Sequence, residues 1–192
     1  MISDLPCVIF AGGKSSRMGE DKALLPFGAH ATLSEYQLHK LSKIFSHVFI
    51  SCKNSNKFDF DASYIEDTVT KSYAPTAAFL AIFEQLQCER FFAISVDAPF
   101  IGETIIQKLI KEDKEEFDAT IAKSPNGIEP LCGIYHKSLY PYFQKMQENN
   151  EHRLTQLLLQ RNTHFISFDE QEAFLNLNRP NDYKKALQLL KS

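Results

Sequence analysis

VIFAGGKSSRMGEDKALLPFG, residues Val8 to Gly28, starts as an apolar run and turns at two glycines into a loop dense in charge. A short apolar run with no polar alternation is how a parallel strand covered on both faces reads. Glycines directly after such a strand let the backbone approach a ligand at the carboxyl edge of the sheet, where α/β proteins bind. Gly13-Lys14-Ser15 resembles the tail of a Walker loop, but that loop needs a glycine five residues earlier. Val8 holds that position, inside the strand. The G-x-G-x-x-G fingerprint of dinucleotide sites is missing as well. What remains is the Gly12-Gly13 backbone, the hydroxyls of Ser15 and Ser16, and three cations, Lys14, Arg17 and Lys22. Such a set suits a polyphosphate. A tight turn with a solvated basic edge would also account for the glycine pair taken alone.

Outward from this loop, β-rich runs alternate with helical patterns, which predicts an α/β protein with a largely parallel sheet. Expected strands are Cys7 to Ala11, His47 to Cys52, Ser63 to Glu66, Phe91 to Val96, Ala119 to Lys123, Gly133 to His136 and His164 to Phe168. Expected helices are Ser34 to Phe45, Pro75 to Leu86, Glu103 to Lys111, Ser138 to Gln147, Leu154 to Gln160 and Asn181 to Lys191. In Pro75 to Leu86 the residues Phe79, Leu80, Ile82, Phe83 and Leu86 recur at three- and four-residue spacing and give one buried face. The charged run Lys111 to Asp118 reads as a solvated helix end.

At 192 residues, 44% hydrophobic and 23% charged, the chain is expected to form one globular domain. Its net charge of -3 excludes a general attraction to nucleic acid or anionic lipid. The four cysteines form no C-x-x-C pair, so reduced thiols are expected rather than a zinc or redox site. No apolar run approaches the length of a membrane span, and a cytoplasmic location is expected.

The run from Ala11 to Lys22 fits the pattern A-G-G-x-S-x-R-M-G-x-D-K, which resembles the signature of nucleotidyltransferases acting on the molybdenum cofactor. The Ala-Gly-Gly form is similar to that of the guanylyltransferases. The resemblance implies a Rossmann-like three-layer sandwich with a mostly parallel central sheet, like that of nucleotide-diphospho-sugar transferases. It further implies transfer of GMP from GTP to the phosphate of molybdopterin, with Mg2+ required and pyrophosphate released. The N-terminal half would bind GTP and the C-terminal half molybdopterin. Transient contacts with cofactor-biosynthesis or acceptor proteins would follow.

Residue by residue, the resemblance places Phe10, Ala11, Gly12, Gly13, Lys22, Ser51, Asp67 and Asp97 on GTP, and Asp97 on Mg2+. Arg17, Lys22 and Asp97 become the catalytic set, and Asn176 and Asn178 contact the molybdopterin. The residues themselves leave room for other roles. Asp97 ends an apolar run just before Pro99, a position that suits a hard-cation ligand or a cap for the next helix. Asp67 could accept hydrogen bonds from a guanine edge or open a turn. Asn176 and Asn178, two apart in an extended stretch, share a face and could grip a polar substrate or form a turn. His152-Arg153 resembles a basic site for an anionic acceptor, and also reads as exposed charge at a helix start.

Three departures from the family pattern stand out. Ala74 and Ala78 replace glycines of a G-P-L-A-G segment, so a shifted loop and weaker nucleotide binding are expected there. Ser51 stands for an asparagine, and Glu129 for a glutamine of a segment lining the acceptor side. Other enzymes of the same fold, using CTP or making a nucleotide sugar, would share many of these features. So would a nucleotide-binding partner protein without activity.

Overall fold

The computed structural model describes residues 1–12, 21–67 and 75–190. Seven strands form one sheet: β1 (Cys7–Phe10), β2 (Val48–Cys52), β3 (Ser63–Glu66), β4 (Arg90–Ser95), β5 (Ala119–Ser124), β6 (Gly127–His136) and β7 (Thr163–Ser167). Among the described residues, six α-helices accompany them: α1 (Leu33–Leu41), α2 (Pro75–Leu86), α3 (Glu103–Glu112), α4 (Tyr140–Glu148), α5 (Leu154–Gln160) and α6 (Pro180–Leu189). The strand order is β3-β2-β1-β4-β6-β5-β7. All strands run the same way except β6, which is antiparallel to both of its neighbours.

Strand alternation sorts the core into two layers. Cys7, Ile9, Phe92 and Ile94 face one side, where they pack with Leu33 and Leu41 of α1, Ile105, Ile106 and Leu109 of α3, and Ala186 of α6. Val8, Phe10, Phe91 and Ala93 face the other, against α2, α4 and α5. Phe79 of α2 centres this second layer, its ring 4.5 Å from that of Tyr135, 4.6 Å from Phe143 and 4.9 Å from Phe10. Each such pair adds about 0.5–1.5 kcal/mol beyond area burial. Helices on both faces of a mostly parallel sheet make the expected three-layer sandwich.

The chain winds from β1 to β2 and β3 on one side, then returns across β1 to place β4 on its other side. The crevice between the carboxyl ends of β1 and β4 is therefore the point where strand order reverses. Open α/β sheets bind ligands at such a point.

Two expectations need correction. Strand β6 starts at Gly127 rather than Gly133, because Pro125 and Asn126 form a two-residue hairpin turn that ends on Gly127 at φ +124°. The Ser124 hydroxyl accepts the Asn126 N–H at 3.1 Å and fixes that turn. The run Lys111 to Asp118 is more than a solvated end. The Asp113 side chain is fully buried, bonded by Arg90 at 2.6 Å, Thr120 at 2.7 Å and His136 at 3.0 Å. Asp118 accepts from Ser138 at 2.6 Å and from the Asn162 backbone at 3.0 Å.

Candidate active site

Lys22 enters the site on a short 3-10 helix, Lys22–Leu24. Asp21 caps this helix through the Ala23 N–H at 3.0 Å, and the buried Ser34 hydroxyl donates to the Ala23 carbonyl at 2.9 Å. Two fixed ends leave the lysine aimed at the end of β4. There its Nζ donates to Asp97 Oδ2 at 2.6 Å and to Asn178 Oδ1 at 3.0 Å. The Ser95 hydroxyl donates to the other Asp97 oxygen at 2.6 Å. The Lys22 and Asp97 side chains are only 17% and 16% exposed, so their charges meet in a partly desolvated place where Coulomb forces are stronger than in water.

Asp97 does not cap the next helix, since α3 starts at Glu103 after Gly102. Its loop is held from behind by α1. Gln37, with no exposed surface, directs its amide at the carbonyls of Ser95, Val96 and Ala98 at 3.2, 3.3 and 3.1 Å. One turn later, Lys40 Nζ donates to the carbonyls of Pro99 at 2.7 Å and Ile101 at 3.0 Å. Burial pushes the Lys40 pKa down to about 8. From the C-terminal side, the Leu177 N–H donates to the Asp97 carbonyl at 2.8 Å. That bond brings Asn176 and Asn178 alongside, and with Ser95, Asp97 and Glu129 they line a cavity of about 140 Å³.

The other expected GTP contacts lie along the same carboxyl edge. Phe10 and Ala11 are buried, and the Phe10 ring sits in the core, which leaves only its backbone for a ligand. The Ala11 N–H donates to the Ser51 carbonyl at 2.9 Å, and Ser51 itself is buried. The Asp67 N–H donates to the Cys52 carbonyl at 3.0 Å, and a Cβ built on Gly12 would lie 4.0 Å from the Cys52 Cα. Gly12 and Asp67 thus flank Cys52. Gly13, Lys14, Ser15, Ser16, Arg17 and Ala74 lie outside the described residues.

The departures find places too. Ala78 lies within α2, where alanine is favoured over glycine by about 1 kcal/mol, so no loop is shifted at that position. Glu129 accepts from Ser124 at 2.7 Å and from Asn176 at 3.4 Å. The His152 Nδ1 lies 3.1 Å from the Thr76 hydroxyl, while its Nε2 lies 2.9 Å from Asn150 Oδ1. His152 and Arg153 line a groove of about 690 Å³ with Pro130, Leu131 and Leu159.

Two site residues escaped the sequence. Lys57 donates to the Ala11 carbonyl at 3.2 Å and to Asp21 Oδ2 at 2.7 Å, and so ties together the two ends of the glycine loop. Nothing in the polar stretch around it signals this. Gln37 did leave a signal, because it lies on the face shared by Leu33 and Leu41, where a polar side chain must find buried partners.

The MobA-like NTP transferase domain family matches residues 7–164. A molybdenum cofactor guanylyltransferase of Campylobacter jejuni strain RM1221 is 38% identical over 191 residues, 99% of either chain. One from Helicobacter pylori strain P12 is 34% identical over 196 residues, covering 100% of this chain and 96% of the relative. Among solved structures, molybdopterin-guanine dinucleotide biosynthesis protein A from Archaeoglobus fulgidus superposes with a TM-score of 0.82 at 22% identity, covering 97% and 99% of the two chains. A 2-C-methyl-D-erythritol 4-phosphate cytidylyltransferase from Thermus thermophilus also superposes, with a TM-score of 0.72 at 13% identity, over 98% and 100%. The fold thus serves more than one nucleotide, and the discriminating evidence is sequence identity along nearly the whole chain. On that evidence the chain belongs to the molybdenum cofactor guanylyltransferase family, built on a MobA-like NTP transferase domain.

Proposed function

We propose that this chain transfers GMP from GTP to the terminal phosphate of molybdopterin, with Lys22 and Asp97 at the centre of the reaction. A phosphate oxygen of the acceptor forms a bond to the α-phosphorus of GTP, and the bond from that phosphorus to the bridging oxygen breaks. Pyrophosphate leaves with the electron pair, and molybdopterin guanine dinucleotide remains. No covalent intermediate on the protein is needed, because such transfers depend on positioning and on neutralising charge at phosphate oxygens.

The observation that carries this reading is the meeting of Lys22, Asp97 and Asn178 at the reversal point of the sheet, in a chain 38% identical to a guanylyltransferase. Lys22 supplies positive charge to the phosphates, and the Gly12 backbone allows their close approach. Arg17 is assigned the same electrostatic role by its place in the motif. Asn176 and Asn178 hold the acceptor, which gives the N-terminal half of one domain to GTP and the C-terminal half to molybdopterin. Asp67 accepts hydrogen bonds from the guanine edge, and the buried Ser51 supports the strand end beside it.

The side chains around Asp97 fit a hard divalent cation. The Asp97 carboxylate, the Ser95 hydroxyl and the Asn178 amide oxygen are all oxygen donors, the type Mg2+ prefers. Asp97 would hold Mg2+, which when bound neutralises negative charge on phosphate oxygens. The Lys22 ammonium, 2.6 Å from Asp97 Oδ2, holds that carboxylate in place at the crevice.

Incubation with molybdopterin, Mg2+ and either GTP or CTP tests the proposal, with pyrophosphate and the dinucleotide product measured. GTP alone should give both products. Product formation from CTP in preference to GTP, or GTP binding without pyrophosphate release, would rule the reading out.

A further inference from the structure

Away from the phosphate site, three side chains of metal-ligating type converge at the start of α1. His30 lies in the preceding turn, where its backbone exchanges hydrogen bonds with Phe27 at 3.1 and 3.2 Å. Glu35 and His39 are four residues apart on α1 and so share a helix face. One ligand atom from each of the three residues falls within 4.8 Å of those of the other two. The His30 and His39 rings are 4.8 Å apart at 49°. His30 Nδ1 is 3.9 Å from the Glu35 carboxylate, beyond hydrogen-bonding distance. Among the described residues, no hydrogen bond joins these three side chains and accounts for their approach.

Helix capping explains part of the arrangement. The Thr32 hydroxyl accepts the Glu35 N–H at 3.1 Å, and Glu35 Oε2 accepts the Ala31 N–H at 3.0 Å. Capping accounts for the glutamate, and the His30 ring also packs edge-on against Tyr36 at 5.8 Å, but neither contact accounts for the His39 imidazole beside them. A carboxylate has room for about four hydrogen-bond or metal contacts, so the bond from Ala31 orients Glu35 without using it up. Two imidazoles and one carboxylate favour Zn2+ and similar ions over Mg2+, so this set is chemically distinct from the all-oxygen set at Asp97. Zn2+ bonds of about 2.1 Å in a tetrahedron place ligand atoms about 3.4 Å apart. His39 is exposed and His30 partly so, which leaves their side chains room to rotate over the remaining distance.

We propose that His30, Glu35 and His39 bind one transition-metal ion of the Zn2+ class, with water or another exchangeable ligand completing the coordination. The ion ties the turn around His30 to α1, the helix whose Gln37 and Lys40 hold the Asp97 loop. Its role is to brace that helix and not to take part in phosphate chemistry.

The test is a titration of the whole metal-free chain with Zn2+, and with Co2+ for its visible ligand-field bands. Wild type should bind one equivalent of Zn2+, gain Tm, and give a Co2+ spectrum of a nitrogen- and oxygen-ligated site. His30→Ala and His39→Ala should each weaken Zn2+ binding by at least about tenfold, the lower end for losing even an outer partner of a metal ligand. The exposed His39→Ala variant should keep the metal-free Tm and the Mg2+-supported GMP transfer of wild type. Absence of stoichiometric Zn2+ binding by wild type, or wild-type affinity in either variant, overturns the proposal.

Discussion

Replacing Gln37 with leucine separates a residue that packs the core from one that positions the chemistry. The side chain is fully buried, and its two amide hydrogens serve three carbonyls, those of Ser95, Val96 and Ala98. The Ser95 carbonyl also accepts the Ala98 N–H at 3.3 Å, so it keeps a partner after the substitution. The carbonyls on either side of Asp97 lose theirs, at about 1–3 kcal/mol each for a buried unsatisfied group. Part of this is offset, because Gln37 Oε1 is itself buried with no hydrogen-bond partner among the described residues, and it disappears as well. The net cost is about 2 kcal/mol, which in a chain of this size lowers Tm by about 4–8 °C. The effect on rate should be larger than that loss suggests. Asp97 sits between the two released carbonyls, and a displacement of about 1 Å at a reacting centre can cost about 10²-fold. Single-turnover GMP transfer, measured well below the Tm of the variant and at saturating GTP and Mg2+, should fall by about 10- to 100-fold. A lowered Tm with wild-type turnover would refute the positioning role and leave Gln37 a packing residue.

Further expectations concern other parts of the molecule. Lys57→Met unties Ala11 from Asp21 and should raise the apparent KM for GTP by about tenfold, the equivalent of one hydrogen bond to a charged group, with little change in Tm. An unchanged KM would contradict it. At Gly133 an added Cβ would meet the Thr120 carbonyl at 2.2 Å and the Ile121 Cα at 2.9 Å, both unyielding backbone. Gly133→Ala should therefore destabilise by about 3 kcal/mol or more, at the top of the overpacking range, as read by urea unfolding. Burial would by itself raise the Asp113 pKa, but hydrogen bonds from His136, Thr120 and Arg90 outweigh it and bring it below the ordinary value. The carboxylate thus adds stability above its unfolded pKa of about 3.9, and that stability is lost as pH falls through the lower folded value. Asp113→Asn should lower Tm at pH 7 and flatten the acid limb of the stability profile; an unaltered acid limb would reject this assignment.

The layout of the site was legible where chemistry and strand ends coincide. An apolar run before Gly12, and another stopping at Asp97, place a flexible backbone and a carboxylate on the same sheet edge once the sheet is parallel. That Asn178 meets Lys22, 156 positions away, was not legible, because the resemblance put Lys22 on GTP and Asn178 on the molybdopterin, and no spacing links the two. The strand expected from Gly133 begins at Gly127, directly after a turn signal in Ser124-Pro125-Asn126-Gly127, and Pro130 lies inside it. The proline is tolerated near the irregular stretch where the β5–β6 register shifts between Ile121 and Lys123. Asp113 was unreadable for a different reason. Its neighbours in sequence are charged and exposed, and its partners Arg90, Thr120 and His136 become neighbours only when β4, β5 and β6 pair.

The central claim is that Asp97, paired with Lys22, acts in GMP transfer from GTP to molybdopterin. Asp97→Asn keeps the size and hydrogen-bonding reach of the side chain and removes its charge. Its single-turnover rate of dinucleotide formation, compared with wild type at saturating GTP, Mg2+ and molybdopterin, tests that claim most directly. The rate should fall by about 10² to 10³, as for loss of a transition-state contact, while the variant remains folded. A folded Asp97→Asn protein that forms dinucleotide at the wild-type rate would contradict the account.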